Sequence, residues 1–265
     1  MKRIAWLSDI HLNFVRKIDR LVDEIRAADV DLLLIGGDIA EARSFAGYLT
    51  ELTTRLQLPI YFVLGNHDYY GASVAEVRGI SRQLSDVASD LFWLPHAGPV
   101  SLGDATVLVG HGGWGDARLG DFLGSPVRLN DYKLISDLSS EANDEVLLQK
   151  LNELGDEAAR SLEEQLSNVS AAVSEVIVLT HVPPFREACV HDGKISDDDW
   201  LPHFTCHAVG EVLHRAASEN SGCNFIVLCG HTHGRGECEI LSNLVVRTAG
   251  AEYGRPQVER VLEID

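Results

Sequence analysis

Leu32-Leu33-Leu34-Ile35-Gly36-Gly37-Asp38 is a run of four apolar residues that ends in two glycines and a carboxylate. Such an uninterrupted apolar run is typical of a strand buried on both faces of a parallel sheet. The carboxyl ends of these strands carry the binding sites of open α/β sheets. The run therefore predicts a central strand that places Asp38 at this edge. Taken alone, Asp38 could instead cap a helix that begins near Glu41.

Four more apolar runs end in side chains that can bind a metal ion. These endings are Asp9-Ile10-His11, Gly65-Asn66-His67-Asp68, His181 and Gly230-His231-Thr232-His233. Because the carboxyl ends of parallel strands meet at one edge, five such endings favour a shared metal site over an isolated helix cap. Side chains two positions apart on an extended chain point the same way, so Asp9 with His11, or His231 with His233, could bind one ion. Carboxylates, imidazoles and one amide oxygen suit Mn²⁺, Fe, Zn²⁺ or Ni²⁺.

The spacing of apolar residues predicts an α/β fold. Predicted strands at 4–8, 31–35 and 60–64 alternate with amphipathic helices, which indicates parallel pairing. The later part of the chain predicts a hairpin, two helices and further strands. They are expected at 99–109 for the hairpin, at 144–154 and 157–169 for the helices, and at 176–180, 225–229, 238–241, 244–247 and 258–264 for the strands.

The length of 265 residues and the lack of a Pro/Gly/Ser-rich linker predict one domain over residues 1–265. Segments 116–170 and 185–204 both follow strand ends that face the expected site. Loops in such positions commonly carry specificity. We therefore expect both segments to form a helical or loop cap over the site.

The charge balance limits the kinds of partner. The chain has 22 Lys and Arg against 40 Asp and Glu, a net charge of −18. Nucleic-acid affinity comes largely from cations that displace counterions, so general nucleic-acid binding is not expected. Five cysteines without a CxxC pair suit a reducing compartment. With no predicted signal peptide or membrane span, these features predict a cytoplasmic protein with no membrane partner.

The five endings, in their order along the chain, resemble the calcineurin-like metallophosphoesterase family. Its motifs are D-x-H, GD, GNH-D/E, a strand-terminal His and GH-x-H, and all are present between residues 9 and 233. The resemblance implies a four-layer αββα double β-sheet sandwich with two metal ions. By position, it assigns Asp9, His11 and His233 to the first metal, Asn66, His181 and His231 to the second, and Asp38 as the bridge.

The resemblance also implies a metal-dependent phosphoric ester hydrolase. In such an enzyme a metal-bridging hydroxide attacks a phosphomonoester or phosphodiester, here expected to be a small metabolite or nucleotide. His67 is then expected to protonate the leaving group or stabilise the transition state, with Asp68 orienting its ring; a purely structural His67 is the alternative. The protein phosphatases of this family carry an arginine a few residues after the GNH-D/E motif. Here that segment is Asp68-Tyr69-Tyr70-Gly71-Ala72, which has no arginine and therefore counts against a protein phosphatase.

Two other functions stay open at this point. One is a nuclease on single-stranded nucleic acid, and the other is a noncatalytic metal-binding scaffold for a partner protein, which the complete ligand set disfavours. Other side chains are candidates for contacts with the substrate or, in the case of His111, for an outer shell around the metal ligands. They are the cations Arg78, Arg118, Arg128 and Lys133, the histidine His111, and the aromatics Tyr69, Tyr70, Trp114 and Trp200.

Overall fold

The computed structural model describes residues 1–264, which form two β-sheets flanked by helices. The strands are β1 (Lys2–Leu7), β2 (Leu32–Gly36), β3 (Ile60–Val63), β4 (Leu91–Trp93), β5 (Val100–Ser101), β6 (Thr106–Gly110), β7 (Glu175–Leu179), β8 (Val190–His191), β9 (Lys194–Ile195), β10 (Asn224–Cys229), β11 (Gly236–Leu241), β12 (Leu244–Thr248) and β13 (Arg260–Ile264). The first sheet has the order β13-β1-β2-β3-β4 and the second β11-β12-β10-β7-β6-β5, while β8 and β9 form a separate hairpin.

The longer helices alternate with these strands. They are α1 (Asp19–Ala27), α2 (Phe45–Leu56), α3 (Val74–Val87), α4 (Asp144–Ser167) and α5 (His207–Glu219). One-turn helices occur at Leu94–Ala97, Asp131–Leu134, Ser136–Ser139 and Leu201–Phe204, and 3-10 turns at Leu12–Phe14, His67–Tyr69 and Arg186–Ala188. The strands β1 to β4 pair in parallel, as do β6, β7, β10 and β12. All five cysteines are free thiols. Across residues 1–264, no helix has the length and apolar character needed to cross a bilayer.

Alternating side chains on the strands separate the core into layers. On β1, Ile4 and Trp6 pack against the second sheet through residues such as Ile177. Their neighbours Ala5 and Leu7 pack instead with the apolar faces of α1, α2 and α3. A third buried cluster joins the outer face of the second sheet to α4 and α5. The four-layer αββα sandwich is therefore confirmed.

Several local predictions need correction. The short strand β4 was not expected, and α2 begins at Phe45, four residues later than predicted. Segment 185–204, for which no individual strand or helix was predicted, contains the β8–β9 hairpin and the one-turn helix Leu201–Phe204. The two helices predicted at 144–154 and 157–169 are one continuous helix, α4.

Gly155 explains the wrong helix boundary. It lies inside α4 and is buried, and a Cβ at this position would lie 2.5 Å from the Cβ of Asp116. The glycine therefore permits close packing and does not end the helix. Asp116 in turn accepts a hydrogen bond from the backbone N–H of Ala208, near the start of α5. Helix α4 thus belongs to the outer layer of the sandwich, which corrects the prediction that the whole of 116–170 forms a cap.

Because of this packing, replacing a helical glycine with alanine should affect stability differently at different positions. Gly79 is an exposed glycine inside α3, and a Cβ at this position would have no atom within 4 Å, so Gly79→Ala should stabilise the protein by about 0.5–1 kcal/mol. Gly155→Ala should instead lower stability by about 1–3 kcal/mol because the added methyl group overpacks the contact with Asp116. Urea unfolding midpoints of the two variants measure this difference. Equal stabilisation by both substitutions would contradict the packing role of Gly155.

Candidate metal centre

The predicted ligands lie on short loops that reverse direction just after the strands end. Five of them have left-handed backbone conformations: Asp9 (φ 53°), His11 (φ 40°), Asp38 (φ 50°), His231 (φ 69°) and His233 (φ 59°). This region is uncommon for residues other than glycine and costs roughly 1–3 kcal/mol each time. Strain of this kind persists only where surrounding contacts enforce it. Backbone hydrogen bonds from Asp9 N to Gly37 O (3.1 Å) and from His11 N to Asp38 O (2.9 Å) join two of these loops.

Four side chains form the first set of converging ligand atoms. One ligand atom each from Asp9, His11, Asp38 and His233 lies within 4.8 Å of the others. The Nε2 atoms of His11 and His233 are 3.2 Å apart. His11 Nε2 lies 3.6 Å from Asp38 Oδ2, and His233 Nε2 lies 3.5 Å from Asp9 Oδ1. This is the donor set of a borderline divalent cation.

A second set surrounds the other oxygen of Asp38. His181 Nδ1 donates to the carbonyl of Gly36 (2.9 Å), so its Nε2 keeps a lone pair. That lone pair faces Asn66 Oδ1 at 3.1 Å and Asp38 Oδ1 at 3.4 Å. Asn66 is oriented this way because its Nδ2 donates to Asp131 Oδ1 (2.9 Å). Three acceptor atoms therefore converge, and a bound cation is the group that satisfies all of them.

His231 lies beside the second set. Its ring centroid is 5.0 Å from that of His181, and its backbone N–H donates to Asp9 Oδ1 (3.0 Å). Its Nε2 faces the carbonyl of His203 at 3.1 Å and therefore carries the proton. The Nδ1 atom of His231 is left with the free lone pair.

Burial keeps these imidazoles in the form that binds metal. Desolvation, followed by the neighbouring histidines His67, His233 and His181, lowers the pKa of His11 to about 2. Desolvation and His181 lower the pKa of His231 to about 3. Burial and the nearby carboxylate of Asp9 raise the pKa of Asp38 well above its usual value. Metal ligands must be neutral histidines and ionised carboxylates, and bound cations would offset the repulsion between these acids. The donor set thus fits two divalent cations.

Asp68 does not orient the His67 ring, and that prediction is wrong. Its Oδ1 accepts from the N–H groups of Ile39 (2.9 Å) and Ala40 (3.0 Å), and its Oδ2 accepts from Gly65 (2.8 Å). Within residues 1–264 it forms no hydrogen bond or ion pair with the His67 imidazole. Asp68 instead ties the loop that carries Asp38 to the loop that carries Asn66.

His67 lies next to both sets without joining either. Its backbone N–H donates to Asp38 Oδ1 (2.9 Å), while its ring Nε2 is 3.9 Å from Asp38 Oδ2. The ring packs at 4.7 Å from His11 and 4.3 Å from Tyr70, and its side chain is 17% exposed. Burial and His181 lower the pKa of His67 to about 4. Its imidazole faces the cavity above the two sets.

This site cavity has a volume of about 660 Å³. Its walls come largely from 129–131 and from 191–204, so these parts of the two predicted cap segments border the site. Trp200 stacks on Phe204 at 5.2 Å, and Phe204 contacts His231 edge-on at 4.9 Å. A line of aromatic rings therefore extends from the metal centre to the cavity mouth, where Trp200 is 42% exposed.

Most of the other candidates lie elsewhere. Tyr70 and Trp200 line the site cavity, whereas Tyr69 and Trp114 pack together in the core at 5.3 Å. Among the described residues, the cavity wall includes none of the candidate cations Arg78, Arg118, Arg128 and Lys133 and does not include His111. The three arginines form ion pairs with Glu157, Asp116 and Asp144, and His111 Nδ1 accepts from Gly113 N–H.

The residues that line the cavity and that the sequence argument did not single out include Asp131, Lys194 and Tyr253. Asp131 fixes Asn66 and also accepts from the Tyr70 hydroxyl (2.7 Å), but no local pattern marks it. Lys194 contributes a cation from the β8–β9 hairpin. Tyr253 lies over the first set, with ring centroids 4.5 Å from His11 and 5.0 Å from His233. The same strand-end rule, applied to β12, would have drawn attention to the loop that carries Tyr253.

Comparison with known proteins identifies the family of this chain and structures of similar fold. Residues 2–235 match the family model described as calcineurin-like phosphoesterase. The fold is similar to a phosphopantetheinyl hydrolase from Mycobacterium tuberculosis, with a TM-score of 0.66, 15% identity, and 95% of this chain and 89% of that chain covered. It is also similar to a dimetal phosphatase from Danio rerio, with a TM-score of 0.56, 13% identity, and coverage of 96% and 89%.

One further relative matches over a shorter region. A Danio rerio transmembrane protein with metallophosphoesterase domain is 38% identical over 80 residues, which cover 27% of this chain and 18% of that protein. The aligned part therefore spans less than a fifth of the relative. The two structural likenesses concern the fold, whereas the family match covers nearly all of the sequence. This chain belongs to the calcineurin-like phosphoesterase family.

Proposed function

We propose that this protein is a dinuclear metallophosphoesterase that hydrolyses a phosphomonoester or phosphodiester of a small metabolite or nucleotide. The observation that carries the proposal is that the two oxygens of the Asp38 carboxylate face two different sets of acceptor atoms. Its Oδ2 faces His11 and its Oδ1 faces His181, so one buried carboxylate belongs to two sets of acceptor atoms. A noncatalytic descendant would have little reason to keep both sets complete.

The first metal would be held by Asp9, His11, His233 and Asp38. The second would be held by Asn66, His181, His231 and Asp38. Mn, Fe, Zn and Ni all suit these mixed nitrogen and oxygen ligands. When bound, two such ions neutralise phosphate charge and lower the pKa of a coordinated water.

The surrounding residues would position a ligand, assist departure of the leaving group and bind that group. Asp131 holds the Asn66 amide so that its oxygen points to the second set. His67 faces the cavity, and as a neutral imidazole it can donate an N–H hydrogen bond to charge on the leaving oxygen. To act as a general acid it must first take up a proton, which the negative charge of a bound phosphate would favour. The aromatic wall of Trp200 and Phe204 would receive a flat or apolar leaving group. A cavity of about 660 Å³ is within the range that small-molecule ligands occupy.

Metal-dependent turnover tests the function itself. The protein loaded with Mn²⁺ should hydrolyse p-nitrophenyl phosphate, bis-p-nitrophenyl phosphate or both, because the site is built to neutralise phosphate charge. Removal of the metal by a chelator should abolish turnover, and added Mn²⁺ should restore it. The ratio of the two rates distinguishes a monoesterase from a diesterase. A protein that binds two metals by elemental analysis yet hydrolyses neither ester would indicate the noncatalytic scaffold.

Two substitutions should separate metal binding from catalysis. His67→Gln leaves every proposed ligand in place, so two metals should remain bound while kcat falls by about 10² to 10⁴, the usual contribution of a general acid. Asp38→Asn removes the charge shared by the two sets, so metal content and turnover should fall together.

The leaving group tests the role of the imidazole. If His67 donates a proton, His67→Gln should be impaired less on nitrophenyl esters than on alkyl esters, whose leaving groups need protonation more. Equal losses on both would instead indicate electrostatic stabilisation. Loss of metal from His67→Gln comparable to that from Asp38→Asn would refute its placement outside the ligand sets.

The corrected role of Asp68 predicts a stability effect. In Asp68→Asn an amide N–H₂ replaces one of two oxygens that face only backbone donors, so the free energy of unfolding should fall by about 1–3 kcal/mol. Asp104 is exposed, and the control Asp104→Asn should change the free energy of unfolding by less than about 0.5 kcal/mol. Urea unfolding measures both. An unchanged midpoint for Asp68→Asn, with a loss of turnover on poor leaving groups only, would revive a role in orienting His67.

A further inference from the structure

A second cavity, of about 1100 Å³, shares the side chain of His233 with the wall of the site cavity. It is lined by the start of α1 and by the loop after β12, and we call it the basic groove after its cations. These are Arg16, Lys17, Arg20, Arg235 and Arg255. In the part of the chain that the structure describes, only two acidic side chains, Glu24 and Glu252, share the lining. The groove therefore has a net positive charge on a chain whose overall charge is −18.

Three of these cations are available to a ligand. Arg235 is paired with Glu259 at 2.7 Å, and Arg255 with Glu252 at 2.9 Å. Arg16, Lys17 and Arg20 are exposed and form no ion pair with any residue in 1–264. Cations gathered without acidic partners repel each other, and a bound anion would relieve this repulsion.

The basic groove is connected to the metal centre. His233, a proposed ligand of the first metal, lines both the groove and the site cavity. The Tyr253 ring, 5.0 Å from His233 and 4.9 Å from Phe14, stands between the two spaces. A substrate whose scissile phosphate is at the metal centre can therefore extend past Tyr253 toward Arg16 and its neighbours.

We propose that the basic groove binds a second phosphate group of the substrate, and that the preferred substrates are nucleotides with at least one phosphate beyond the scissile one. The inference rests on the proposed function and names the substrate class of the same site. The Trp200–Phe204 wall suits the base, and the three unpaired cations suit the additional phosphate. The second phosphate would also explain how a strongly acidic protein attracts an anionic substrate, because the favourable charge is local.

The test compares two nucleotides that differ by one phosphate. Binding of thymidine 3′,5′-bisphosphate and of thymidine 5′-monophosphate to the Mn²⁺-loaded protein is measured by calorimetry. The groove variant combines Arg16→Gln, Lys17→Gln and Arg20→Gln. The matched control combines Lys2→Gln, Arg82→Gln and Arg160→Gln, three exposed cations outside both cavities that give the same change in net charge.

Wild type and control should both prefer the bisphosphate. In the groove variant, the ratio of the dissociation constants of the two nucleotides should change about tenfold against the bisphosphate, as expected for the loss of a few solvent-exposed charge pairs. Its dissociation constant for the monophosphate should stay the same. The preference of the wild type should also weaken as salt is added. An unchanged preference in the groove variant, an equal loss in the control, or an equal loss for both nucleotides would overturn the inference.

Two further measurements separate the alternatives. An oligothymidylate that binds wild type more than about tenfold tighter than the bisphosphate, with the excess lost in the groove variant, would assign the groove to single-stranded nucleic acid and overturn the small-substrate class. Turnover of nitrophenyl esters by wild type tests the proposed function separately. A bisphosphate preference without any turnover would defeat the proposed function, whereas turnover without the preference would defeat only the inference.

Discussion

The burial of the Asp38 carboxylate is the constraint on which the rest of the site depends. A buried carboxylate is costly unless it is paired or bound to a cation. Here its oxygens meet the backbone N–H of His67 and the ring nitrogens of His11 and His181, and a second acid, Asp9, belongs to the same cluster. Bound divalent cations would compensate both acids at once. The left-handed turn after β2 places Asp38 in this cluster, where a bound metal ion would compensate its charge.

The strained ligand loops are held by hydrogen bonds that cross between them. Asp68 accepts three backbone N–H groups from two loops, and Asp131 holds the amide of Asn66. These contacts join segments that are far apart in sequence, so the conformation of each loop is stabilised by hydrogen bonds from another loop. Such support is what allows unfavourable backbone conformations to persist at a binding site. The proposed ligand atoms are thus held in place by contacts within the protein alone.

The surroundings of the metal centre differ on its two sides. The site cavity has an aromatic wall and few cations, whereas the basic groove concentrates positive charge in a chain that is otherwise acidic. Tyr253 and His233 lie where the two spaces meet. Substrate specificity in this protein is therefore expected to come from the segments around the proposed ligands, because those ligands would hold the metal ions and would not distinguish one phosphate ester from another.

The sequence by itself determined the α/β class and the set of candidate ligands. Apolar runs must be buried, and parallel strands bring their carboxyl ends to one edge, so local patterns were sufficient for residues such as Asp38 and His181. The tertiary structure alone decided which partners the side chains find. The three amides around Asp68, the Asn66–Asp131 contact and the convergence of Arg16, Lys17 and Arg20 beside His233 join residues from separate loops. The continuity of α4 through Gly155 likewise depends on Asp116, since a glycine in isolation predicts a break and only the close packing of a distant segment explains its place inside the helix.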